Sequence, residues 1–115
     1  YWQALSEALS LCKPLQIDPA RLMDIFADTS GGANVLKVRG GMIAAALSGR
    51  TDGAVTFDVD SMRKDLRTMI EEAKALGSDL PVAARVLECY DNASRAGMGG
   101  EDGAMLPVRW VQGTR

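Results

Sequence analysis

The stretch Ser61-Met62-Arg63-Lys64-Asp65-Leu66-Arg67-Thr68-Met69-Ile70-Glu71-Glu72-Ala73-Lys74-Ala75-Leu76 decides the fold class. Its apolar members Met62, Leu66, Met69, Ile70 and Ala73 recur at i, i+4, i+7, i+8 and i+11, the spacing of one face of an α-helix. Gly77 follows at once and supplies the stop. Asp79 with Pro81 opens the next helix, in which Val82, Val86, Leu87, Tyr90 and Ala93 keep the same period. That helix ends at Gly97, with Arg95 in its last turn complementing the helix dipole.

The same period runs toward the N-terminus. Trp2, Leu5, Leu9 and Cys12 mark a first helix that Lys13-Pro14 breaks. Asp18-Pro19 supplies an N-cap and a first-turn proline for a second, short helix carrying Leu22, Met23, Ile25 and Phe26. Thr29-Ser30-Gly31-Gly32-Ala33-Asn34 is a turn that ends this helix and caps a third, with Val35, Leu36, Val38, Met42, Ile43 and Leu47 as its apolar residues and Gly40 and Gly41 weakening it. Ser48 to Val55 reads as a surface loop, and Val55 to Val59 is too short and isolated for a sheet, so it is an extended connection. Five helices and an all-α fold are the expectation, with residues 1–115 forming one domain. A helix that starts at Tyr1 without a capping side chain predicts that the natural chain continues upstream.

Composition narrows the function. Apolar residues make up 47% and charged residues 24%, outside the range of disordered chains. Thirteen basic against fifteen acidic side chains, a net charge of -2, leave no basic surface to recruit nucleic acid or an anionic membrane. The absence of histidine removes the commonest general base and the usual zinc ligands, and no metal site is predicted. Cys12 and Cys89 form no CxxC pair and read as buried reduced thiols, which with the lack of a spanning segment or signal peptide predicts a soluble cytoplasmic protein. Gly97-Met98-Gly99-Gly100-Glu101-Asp102-Gly103 has no preceding strand and no Lys-Ser/Thr pair, so it fails as a phosphate loop and reads as a flexible connector. The carboxylate pairs Asp58/Asp60, Glu71/Glu72 and Glu101/Asp102 read as solvated faces, whereas Asp60 and Lys64 at i, i+4 predict an ion pair on one helix face.

The ordered set Phe57, Lys64-Asp65-Leu66, Gly77 to Pro81, Tyr90 and Gly97-Met98-Gly99-Gly100-Glu101-Asp102 resembles the C-terminal domain of the β-hydroxyacid dehydrogenase family. That family includes 3-hydroxyisobutyrate dehydrogenase, tartronate semialdehyde reductase and, more distantly, 6-phosphogluconate dehydrogenase. Glu7-Ala8-Leu9 and Ile17-Asp18-Pro19 extend the resemblance to the N-terminal half. The resemblance implies a helical bundle like the C-terminal domain of 6-phosphogluconate dehydrogenase, preceded in the full enzyme by a Rossmann domain that binds most of NAD or NADP. It implies that Lys64 and Phe57 contact the nicotinamide end of the cofactor, and that Asp65 and the segment Gly32, Ala33, Asn34 line the substrate cleft. The family's general acid–base lysine would lie upstream of Tyr1, so this chain alone is expected to be inactive. Asn34, where many members carry tryptophan, is closer to the tartronate semialdehyde reductase branch. The implied partners are a small β-hydroxyacid and further copies of the chain. The alternative is a free-standing helical interaction or dimerisation module in which Met23, Met42, Met62 and Met69 belong to a partner groove and Lys64 is a solvated charge.

Overall fold

A computed structural model describes residues 1–50 and 53–113. Thr51 and Asp52, within the predicted surface loop, lie outside the described residues. Among the described residues six α-helices carry the fold: α1 (Trp2–Cys12), α2 (Pro19–Asp28), α3 (Asn34–Leu47), α4 (Val59–Ala75), α5 (Pro81–Ala93) and α6 (Leu106–Gln112). Among the described residues there is no β-strand, only an isolated antiparallel bridge between Asp58 and Asp102. The fold is all-α, as the periodicity requires. No helix among the described residues is long and apolar enough to cross a membrane.

The chain divides into two compact units, Tyr1–Ala54 with Ala104–Gly113, and Val55–Gly103. In the first, α2 packs on α3, and α6 packs on α1 and touches α3. Trp2, Leu5 and Leu9 of α1, Met23 of α2, Leu36, Ile43, Ala44 and Ala46 of α3, and Leu106 and Val108 of α6 are buried. Ser6 is also buried within α1 and returns its hydroxyl to the carbonyl of Trp2 at 2.7 Å, which satisfies it inside an apolar face. α2 starts as its sequence dictates: the Asp18 carboxylate accepts from the Arg21 N–H at 3.0 Å and Pro19 occupies the first turn. α3 runs unbroken through Gly40 and Gly41. At Gly40 the absent side chain leaves room for Met23, whose Cβ would stand 3.5 Å from an added Cβ.

In the second unit α4 packs on α5, and Val59, Ala73, Tyr90, Ala93 and Met98 are its buried apolar residues. α4 begins at Val59, two residues before the expected Ser61, because the Asp58 carboxylate caps it by accepting from the Ser61 N–H at 2.7 Å. It closes at Gly77, φ +73.

Several expectations need correction. α6 was absent from the five-helix reading, since it is seven residues long and carries Pro107, which is tolerated only because it lies in the first turn. Asp79 does not cap α5; the cap position is Leu80, without a side-chain hydrogen bond. Ala33 rather than a polar side chain precedes α3, so Asn34 is its first residue and not its cap. The α4 stripe is narrower than its spacing suggests: Ala73 is buried, Leu66 and Ile70 are half-buried, and Met69 is 54% exposed. The reason is geometric, since a single neighbouring helix covers only a thin strip of a helix surface. Cys12 and Cys89 are free but half-buried rather than buried.

Candidate functional site

Residues 56–60, which lead into and begin α4, are tied to the segment 99–103 by hydrogen bonds. The Val59 N–H donates to the Glu101 carbonyl at 3.0 Å, the Asp60 N–H to the Gly99 carbonyl at 3.0 Å, and the Gly103 N–H to the Phe57 carbonyl at 3.0 Å. Asp102, 6% exposed, accepts both the N–H (2.9 Å) and the hydroxyl (3.1 Å) of Thr56. The glycine-rich segment is therefore not a flexible connector. It turns back through one π-type turn, Ser94–Met98, and clasps the start of α4. At Gly99 a Cβ would stand 2.4 Å from Asp60 Oδ2, so a side chain there would displace the Asp60 carboxylate.

The predicted Asp60–Lys64 pair does not form. Asp60 Oδ1 instead accepts from Arg63 Nη1 at 2.6 Å and from the Ser94 hydroxyl at 2.7 Å. The Ser94 hydrogen bond first, and the Arg63 guanidinium second, hold the Asp60 carboxyl below the usual carboxylate range. Arg63 also spans to α5, donating Nε to Asp91 Oδ1 at 2.7 Å, and Arg67 Nη2 reaches the same oxygen at 2.7 Å. Asp60, Arg63 and Arg67 stand at i, i+3 and i+7 on α4, bonded to Asp91 on α5 and to Ser94, the residue that caps the end of α5. That spacing was the available signal for a network the sequence analysis missed.

The network changes what the α4 cations can do. Arg63 and Arg67 are committed to aspartates, whereas Lys64, with its side chain 78% exposed, approaches Asp65 Oδ1 at a loose 3.9 Å. Such an ammonium, on a rigid helix and weakly paired, is available to an incoming carboxylate, phosphate or amide oxygen. Asp65 is likewise outward, its side chain 55% exposed, and Phe57 is 44% exposed. In the first unit Gly32 packs against the end of α2, its N–H donating to the Thr29 carbonyl at 2.9 Å, while Ala33 and Asn34 begin α3 with Asn34 exposed. Gly32, Ala33 and Asn34 thus belong to one unit, and Phe57, Lys64 and Asp65 to the other. Among the described residues no group of three or more His, Cys, Asp or Glu is placed to hold a metal ion.

Residues 2–109 match the family described as the NAD-binding domain of NADP-dependent 3-hydroxyisobutyrate dehydrogenase. The chain belongs to that family. The match runs over nearly the whole chain and establishes the relationship that Phe57, Lys64-Asp65-Leu66 and the glycine-rich segment had suggested. No curated protein matches the chain. Membership of the 3-hydroxyisobutyrate dehydrogenase family makes NAD(P) the cofactor class. The residues present suit it: an exposed ammonium at Lys64 for polar oxygens and an exposed aromatic residue at Phe57 for a planar heterocycle.

Proposed function

We propose that the chain is the helical, cleft-lining domain of an NAD(P)-dependent β-hydroxyacid dehydrogenase, whose Rossmann domain and acid–base lysine lie elsewhere in the full-length protein. The observation that carries this reading is Lys64: in a family of NAD(P)-dependent dehydrogenases, α4 offers a weakly paired, exposed ammonium while its two neighbouring arginines are neutralised. A bound dinucleotide would supply the hydride acceptor for oxidation of the substrate hydroxyl, or the hydride donor for the reverse reduction.

The residues of this chain bind and orient. Lys64 donates hydrogen bonds to the carboxamide or ribose oxygens of the cofactor or to the substrate carboxylate, a charge-assisted contact worth about 1.5 to 3 kcal/mol. Phe57 closes an apolar wall beside the nicotinamide and keeps water from it. Asp65 fixes a hydroxyl or amide donor, and Gly32, Ala33 and Asn34 approach the substrate, with the Asn34 amide suited to an additional hydroxyl. The chain self-associates in the full enzyme, where exposed apolar residues such as Met69 and Val38 are covered, and the enzyme is cytoplasmic.

The test is reduction of NAD and of NADP by the full-length protein across a panel of small β-hydroxyacids, with the 115-residue chain alone as control. Turnover in the full-length protein and none in the chain supports the reading. Silence from the full-length protein on every substrate, with purified material that is folded and binds neither dinucleotide, overturns it in favour of an interaction module.

A further inference from the structure

Asp102 poses a question that the cleft residues do not answer. A buried carboxylate is costly unless it is hydrogen-bonded, and this one directs its Oδ2 at Thr56, an exposed loop residue. The residue that benefits is the next one. Phe57 is 44% exposed. Its backbone is nonetheless fixed on both sides, by Asp102 at Thr56 and by the Gly103 N–H at the Phe57 carbonyl, 3.0 Å. Asp58, Val59 and Asp60 are then fixed in turn by the α4 cap and by the carbonyls of Glu101 and Gly99. An exposed aromatic residue on an immobilised backbone is a preorganised contact surface, since the ordering cost has been met before a ligand arrives.

We propose that Asp102 is a positioning residue of the dehydrogenase: through Thr56 it fixes the loop that presents Phe57 and leads into the helix carrying Lys64. Asp102 acts without touching the cofactor. The inference rests on the proposed dehydrogenase function and assigns that site a supporting residue on the glycine-rich segment.

Both Thr56 donors converge on the single oxygen Oδ2, which makes the conservative variant informative. Asp102→Asn retains one carbonyl oxygen able to accept both, whereas Asp102→Ala retains none. Steady-state kinetics of the full-length protein with NAD(P), well below the unfolding temperature, are compared with Ala93→Gly, a destabilising change at a buried residue of α5. The expected result is a fall in kcat/KM of at least about tenfold for Asp102→Ala, with KM for the cofactor raised, because small misplacements of site groups are costly. Asp102→Asn is expected to recover activity to within about threefold of wild type, and Ala93→Gly to lose thermal stability with unchanged kinetics.

An active wild type with unaltered kinetics in Asp102→Ala overturns the inference alone, as does an equal kinetic loss in Ala93→Gly. An inactive wild type overturns the functional reading and this inference with it. If Asp102→Ala does not fold, Thr56→Val decides: it removes only the hydroxyl donor, and a loss of about threefold in kcat/KM is expected. No change in Thr56→Val then refutes the role.

Discussion

Replacing Gly32 by alanine tests how the turn before α3 is built. A Cβ at position 32 would stand 2.4 Å from the Ala27 carbonyl oxygen, 2.8 Å from that of Phe26 and 2.9 Å from the Ala27 carbonyl carbon. All three are backbone atoms at the end of α2, so no side chain can swing aside. Ordinary contact begins near 3.4 Å, and the Ala27 carbonyl must therefore recede by about 1 Å, loosening the last turn of α2 and the Gly32 N–H bond to Thr29. Overpacking of this kind costs about 1 to 3 kcal/mol. The neighbouring Gly31→Ala is the control, because its Cβ meets nothing nearer than the Thr29 hydroxyl at 3.8 Å. Both substitutions reduce the entropy of the unfolded chain similarly, by about 0.4 to 1 kcal/mol, so the difference between them isolates the clash. Urea denaturation at constant m-value should place Gly32→Ala below Gly31→Ala by about 1 to 3 kcal/mol, or roughly 4 to 12 °C in Tm. Equal stabilities within about 0.5 kcal/mol would refute the close approach of Gly32 to α2.

Gly41 is helical and exposed, and an added Cβ there meets nothing within 4 Å, so Gly41→Ala should raise stability by about 0.5 to 1 kcal/mol in the same denaturation assay. The Asp60 carboxyl lies below its ordinary value of 3.8, so its contribution is fully present above that pH and is lost as pH falls through the lowered folded value. Asp60→Asn should accordingly be less stable than wild type at neutral pH, with the gap closing at pH below 3.8 in melts stepped through the acid range.

The helices were readable from sequence where a single signal sufficed. Asp18-Pro19 announced α2 because the cap is a local side-chain bond, and Gly77 announced the end of α4 because its positive φ is a backbone requirement of that one residue. α6 was not readable, since seven residues give too few turns for a period and Pro107 argues against a helix until its first-turn position is known. At the candidate site the identities of Phe57, Lys64 and Asp65 emerged from resemblance, while their setting did not. Which acid pairs with Arg63 depends on α5 and its C-terminal cap placing Asp91 and Ser94 beside α4, a tertiary fact that an i, i+4 count on α4 alone cannot supply. The glycine-rich segment misled for a related reason: its composition signals freedom, whereas its backbone here is tied by hydrogen bonds to residues 57–60.

Lys64 provides the most direct test of the account. In the full-length protein, the initial rate of NAD(P) reduction with its best β-hydroxyacid should fall by about 10- to 100-fold in Lys64→Ala, the loss of one charge-assisted hydrogen bond. Stability should stay within about 0.5 kcal/mol of wild type, because the side chain is 78% exposed. Unchanged turnover and unchanged cofactor affinity in a folded Lys64→Ala would contradict the assignment of α4 to the cofactor side of the cleft.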